Sequence, residues 1–236
     1  MKRALKKLLA IVLLVPASVL AAEAGYRLDQ SPHEPTDLVS LQVGARTFVN
    51  YCLGCHGMQY MRYNRLTEIG LTEQQIRDNL MFSADKVGET MKIALDPKVA
   101  KQWFGVAPPD LSVVSRSRGA DWLYTYLRTF YRDPKTPTGW NNAVFENVGM
   151  PHALWTLQGE RAYDREKNQW REISKGSYSQ VEYDMTVRDL VNFLVYVGEP
   201  AAANRKAIGI WSLFVLLLIL FPLTYWLKRE YWKDVT

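Results

Sequence analysis

The sequence predicts a mainly α fold, a helical domain with long loops followed by one C-terminal transmembrane helix. Apolar residues recur at helical spacing in four stretches, and the segments between them are rich in proline, glycine and charge. Near the C-terminus, Ala207 to Leu227 runs for 21 residues without a charged side chain. Between these, Cys52-Leu53-Gly54-Cys55-His56 holds the only two cysteines of the 236 residues and indicates what the helical domain is built around.

The elements follow in chain order. Lys2, Arg3, Lys6 and Lys7 precede an apolar run from Leu8 to Leu20, with Ala21, Ala22 and Ala24 after it, which is the layout of a signal peptide over residues 1–22. Ser40 is expected to cap a helix with the stripe Leu41, Ala45, Phe48, Val49 and Cys52. Thr72 with Gln75 reads as a capping box opening a short helix through about Met81. Leu123, Tyr126, Leu127 and Phe130 form a third stripe. Thr186 is expected to cap a fourth helix whose face is Val187, Leu190, Val191, Leu194 and Val197, with Gly198-Glu199-Pro200 after it. Asp133 to Asn147 reads as loop, Gln158 to Tyr183 as a loop or hairpin insertion, and little strand is expected.

The last helix is long enough for a membrane. At 1.5 Å per residue, 21 residues span about 30 Å, the thickness of the hydrocarbon core. Trp211, Tyr225 and Trp226 lie near its ends, where amphipathic rings favour the interface, and Pro222 lies inside. The expected organisation is therefore a signal peptide (1–22), an exported domain (23–204), a transmembrane anchor (205–227) and a short cytoplasmic tail (228–236).

Charge divides along the same boundaries. The chain is +5 overall. The first 22 residues hold four basic side chains and no acid, and residues 205–236 hold five against two acids, which leaves −2 for residues 23–204. The basic balance belongs to the targeting and membrane segments, and no nucleic-acid partner is implied.

Two cysteines two apart with histidine directly after them match the spacing for covalent c-type haem attachment. Each thiol adds to one vinyl group to form a thioether, and the short turn presents His56 to the iron as an axial ligand. A zinc site would need about four ligands, and beyond the motif the chain offers only His33 and His152. A redox dithiol would need a βαβ context that the pattern lacks. The domain is thus expected to be a class I c-type cytochrome-like haem domain with one haem c.

A second axial ligand is needed for electron transfer. Met58 and Met61 follow His56 too closely to reach the opposite face, and Met185 sits just before the expected cap of the fourth helix, where apolar residues pack as staples. Met150 lies in Val148-Gly149-Met150-Pro151, where glycine permits close approach and proline stiffens the loop. His152, two residues on, is the competitor, and residue pattern alone leaves the choice open.

At this point the chain resembles a known family. Ala45 to Met58, Pro108-Pro109-Asp110-Leu111-Ser112 with Arg116-Ser117-Arg118, Gly149-Met150-Pro151, and Phe221-Pro222-Leu223-Thr224-Tyr225 with Lys228-Arg229 resemble, in order, segments of the cytochrome c1 family, the haem-c subunits of bc1 complexes. The resemblance implies thioethers at Cys52 and Cys55, axial ligands His56 and Met150, a Pro109 backbone that orients His56, and Arg116 near a haem propionate. It implies cytochrome b and Rieske iron–sulfur subunits as partners, a cytochrome c as electron acceptor, a dimeric complex, and a bacterial inner membrane with the haem domain on the periplasmic side. The chain departs from the family in three respects: it lacks the cysteine pair with which some bacterial relatives brace the axial-methionine region, His152 stands where many relatives have a second proline, and the exported domain is less acidic than the resemblance suggests for docking a basic cytochrome c.

The function so implied is a one-electron relay, a non-catalytic subunit of an oxidoreductase complex. The alternatives are a membrane-tethered cytochrome c donating to a terminal oxidase or reductase, and a haem sensor or peroxidase with an open sixth position.

Overall fold

The computed structural model describes residues 26–93 and 95–234. The expected signal peptide lies outside the described residues. The domain is organised on two long helices, α1 (Leu38–Tyr51) and α7 (Gln180–Gly198), which cross at close range. Gly44 makes the approach possible. A Cβ there would lie 2.1 Å from the Asp189 carbonyl oxygen and 2.6 Å from the Phe193 Cβ. Leu41, Ala45, Phe48 and Val49 of α1 are buried, as are Val187, Leu190, Val191, Leu194 and Val197 of α7.

Both helices start earlier than the sequence reading places them. Asp37, not Ser40, caps α1, its carboxylate accepting from the Ser40 amide at 3.1 Å. The Ser40 hydroxyl instead donates to Asp189 at 2.7 Å and accepts from the Asn192 amide, tying α1 to α7. Either residue can cap a helix, and the buried polar partners on α7 decide between them. Helix α7 opens on a Ser179–Glu182 capping box. Thr186 is inside it, its hydroxyl donating to the Glu182 carbonyl, and Met185 lies on the exposed face and is no staple.

The Thr72–Gln75 capping box is present and opens α2 (Glu73–Asn79), which stops two residues short of Met81. Helix α3 (Pro97–Phe104) begins with proline after the Asp96 cap, and α4 (Val114–Arg118) leads directly into α5 (Ala120–Arg128). Leu123, Tyr126 and Leu127 of α5 are buried, whereas Phe130, read as part of the same stripe, opens a strand.

Strand is more frequent than expected, in three two-stranded antiparallel ladders. β1 (Met58–Arg62) pairs with β2 (Thr90–Met91). β3 (Phe130–Arg132) pairs with β4 (Trp140–Asn142), so the expected Asp133–Asn147 loop is partly strand. After the one-turn helix α6 (Trp155–Gln158), β5 (Gly159–Asp164) and β6 (Gln169–Lys175) form the hairpin alternative foreseen for the charged insertion. β5 is mostly half-buried and β6 mostly exposed, so the alternation that reveals a strand in sequence is weak here.

The chain leaves the domain through α8 (Ala202–Val215), continues through one π-helical segment at Leu216–Leu220, and ends in α9 (Phe221–Trp232). The π segment lies directly before Pro222, which has no N–H to give and whose ring would crowd the carbonyl four residues back. One widened turn absorbs both problems. Ala207–Trp232 is a 26-residue helix, uncharged as far as Leu227 and with none of its residues buried against the domain; the uncharged part suits a hydrocarbon layer of about 30 Å.

Candidate haem site

The C-x-x-C-H segment is a tight turn at the end of α1. The Cys52 amide donates to the Phe48 carbonyl at 2.8 Å, and the amides of Cys55 and His56 both donate to the Cys52 carbonyl, at 3.0 and 2.8 Å. Cys52, Cys55 and His56 thereby line one wall of a cavity of about 330 Å³. Burial, with the Cys55 thiol beside it, pushes the Cys52 thiol up to about 12. The cavity walls are mainly apolar, with Leu111 and Val114 from the segment around α4, Leu123 and Leu127 from α5, and Leu190 and Leu194 from α7.

The segment Pro108–Ser112 is stitched to the chain just after the motif. Leu111 donates to the Gly57 carbonyl at 2.9 Å, and the two Asp110 carboxylate oxygens accept from the amides of Gln59 and Ser112 at 2.8 and 2.9 Å. The Ser112 hydroxyl accepts from the Tyr60 amide at 3.1 Å. These bonds set the Pro109 carbonyl 2.8 Å from His56 Nδ1. A carbonyl only accepts, so Nδ1 carries the proton and Nε2 keeps its lone pair for a metal. Burial lowers the His56 pKa, opposed by the Pro109 carbonyl and the Asp110 charge, which keeps the ring neutral and able to ligate.

Met150 is the only methionine lining the cavity among the described residues. Its sulfur accepts from the Tyr126 hydroxyl at 3.4 Å. Gly149 permits the approach of this loop, since a Cβ there would lie 3.0 Å from Val106 Cγ2 and 3.1 Å from the Phe104 carbonyl oxygen. Met58, Met61 and Met91 are sealed in the core. His152 does not line the cavity. It is 2% exposed, its ring stacks on Phe130, and its Nε2 lies 2.8 Å from Gln158 Oε1. Burial lowers its pKa to about 3, so the ring is neutral at physiological pH.

Arg116 does not reach the cavity; its guanidinium pairs with Glu199 at the end of α7. The cation on the cavity wall is Arg118, whose guanidinium lies 5.0 Å from the Trp122 ring centre and 5.8 Å from that of Phe145. Residues two apart on a helix do not share a face, so only one of the pair can turn inward. Sequence reasoning also missed Tyr126 and Phe104 as site residues. Tyr126 was visible only as one member of a core stripe, and nothing local distinguished it from its neighbours.

The residues present suit a haem. Two thiols and a correctly protonated imidazole stand on one wall, a thioether lines the same cavity, and the remaining surface is apolar with one cation. A domain so built, continuous with a membrane-length apolar helix, defines the class: a membrane-anchored c-type cytochrome.

Comparison with known proteins narrows this class. Residues 29–235 match the Cytochrome C1 family. The chain is 45% identical over 235 residues to the cytochrome c1 of Allochromatium vinosum, covering 95% of this chain and 96% of the relative. It is 46% identical over 233 residues to a Nitrosomonas europaea protein named ammonia monooxygenase gamma subunit, covering 99% of each. Cytochrome c1 of Rhodospirillum rubrum is 25% identical over 233 residues, covering 84% and 83%. The chain belongs to the cytochrome c1 family. It is accordingly a haem-bearing electron-transfer subunit of a bc1 complex, with one covalently attached haem c, a membrane anchor, and cytochrome b and Rieske subunits beside it.

Proposed function

We propose that Cys52 and Cys55 carry the haem through thioethers and that His56 and Met150 are its axial ligands. The observation that carries this is the convergence of all four side chains on one apolar cavity, with the Pro109 carbonyl on the far nitrogen of His56. When bound, the haem supplies a one-electron iron centre. The protein's part is to hold it rigid and shielded from water. Pro109 fixes the His56 tautomer and raises its basicity, as an outer hydrogen-bond partner does for a ligating histidine. Arg118 offers a guanidinium for a propionate, the role expected of Arg116 from the resemblance.

In this reading residues 1–22 direct export, 23–204 form the haem domain on the periplasmic side of a bacterial inner membrane, 205–227 anchor it, and 228–236 are the cytoplasmic tail. The domain takes electrons from the Rieske subunit and passes them to a cytochrome c, within a dimeric complex. The leader's basic residues followed by an apolar run support the orientation.

The test is a reduced-minus-oxidised spectrum of the tagged chain, gently extracted from its own membranes with its partners. Co-extracted c-type and b-type bands, with quinol reducing the c haem, are expected. A c-type band that quinol cannot reduce would assign the chain to another pathway. The name of the Nitrosomonas europaea relative offers a second reading, association with an ammonia monooxygenase; co-extraction with such an enzyme in place of cytochrome b would favour it.

A further inference from the structure

We propose that His152 is a positioning residue for the Met150 thioether, holding the Met150-Pro151 loop by buried packing. The inference rests on Met150 being the axial ligand.

His152 is separated from Met150 by Pro151 alone, so the two side chains sit at the ends of a stiff three-residue segment. Met150 lines the cavity, while His152 is driven into the core behind it. The His152 ring lies parallel to Phe130 with centres 4.8 Å apart and an interplanar angle of 2°. Trp140 meets it edge-on at 5.1 Å, and Tyr183 closes a third side at 6.5 Å. Its Nε2 lies 2.8 Å from Gln158 Oε1, and the Gln158 amide donates to the Arg128 carbonyl at 3.2 Å. A polar ring this deeply buried needs such a partner, and the hydrogen bond fixes its rotation as well as its depth.

The contacts close on themselves. Phe130 meets Tyr126 edge-on at 5.0 Å, and the Tyr126 hydroxyl donates to the Met150 sulfur at 3.4 Å. From the sulfur, the path runs through Tyr126, Phe130 and His152 and returns to Met150 through Pro151. A proline in place of His152 could stiffen the backbone but could neither stack on Phe130 nor bond Gln158. The plug therefore sets how far the loop can swing from α5, and so where the sulfur stands.

Haem-loaded full chain in its complex is the material for the test. The readouts are the long-wavelength sulfur-to-ferric-iron band, the reduction potential, and carbon monoxide binding to the ferrous form. Wild type is expected to show the band and to exclude carbon monoxide, and Met150→Leu to lose the band. His152→Ala is expected to lose much of the band, bind carbon monoxide and show a lower potential. Where His152→Ala yields no haem protein, His152→Leu fills the slot but removes both the ring stack and the Gln158 bond; it should weaken the band and lower the potential. An intact band, potential and carbon monoxide exclusion in His152→Ala, or in His152→Leu where that variant alone folds, would overturn the positioning role. A wild-type protein without the band, unaffected by Met150→Leu, would instead overturn the ligand assignment on which it rests.

Discussion

The carbonyl oxygen of Pro109 stands 2.8 Å from Nδ1 of His56, across 53 residues of sequence. The contact is held from outside by Asp110, whose two oxygens accept from Gln59 and Ser112. Asp110→Ala removes both bonds. It is expected to lower stability by about 1–3 kcal/mol, since hydrogen bonds to a charged group are among the stronger ones. It should also raise the reduction potential, because a His56 ring less firmly bonded to the Pro109 carbonyl is a weaker donor to ferric iron. Thermal unfolding and a redox titration of the extracted protein check both; unchanged values would mean that the Pro108–Ser112 turn holds without its aspartate.

The two arginines of α4 should separate cleanly. Arg118 lines the cavity and Arg116 pairs with Glu199. A cation on the cavity wall favours the reduced form, which carries one positive charge less, so Arg118→Gln should lower the potential more than Arg116→Gln does. Arg116→Gln should instead show at most a small loss of stability, about 0–1 kcal/mol for a largely exposed pair. Parallel redox titrations decide this, and equal shifts would leave no special place for Arg118.

Gly44 is where the core has no slack. With a Cβ only 2.1 Å from the Asp189 carbonyl oxygen, Gly44→Ala must push α1 from α7. Overpacking of this kind costs about 1–3 kcal/mol and more where backbone must move. The expected outcome is a marked fall in midpoint temperature or in yield of haem protein. A variant as stable as wild type would show that the crossing can relax.

Acid should loosen the contact between the charged hairpin and β3. Arg132 holds the Glu160 carboxyl below the usual carboxylate range by hydrogen bonding and by its charge. A folded-state pKa lowered in this way adds stability above the unfolded value of about 4.3, and that stability is lost as pH falls through the lower folded value. The Arg132 guanidinium also lies 3.9 Å from the Trp140 ring centre, so tryptophan fluorescence reports the change. Glu160→Gln should flatten the acid transition of that signal, and a variant with the wild-type transition would place the acid-sensitive group elsewhere.

Local features were legible in the amino-acid sequence because their cause is local. The haem-attachment motif is one turn of chain, the Thr72–Gln75 box satisfies amides within its own helix, and the faces of α1, α5 and α7 repeat at the helical period. The membrane helix announces itself by length and lack of charge. Only the tertiary structure decided which of two eligible groups is used. Ser40 yields the cap to Asp37 because Asp189 and Asn192 claim its hydroxyl, and Arg118 faces the cavity because Glu199 holds Arg116. Met150 lines the cavity while His152 is buried because Phe130, Trp140 and Gln158 together build a slot for a planar polar ring. Each of these choices depends on a partner distant in sequence, and side-chain type alone does not name that partner.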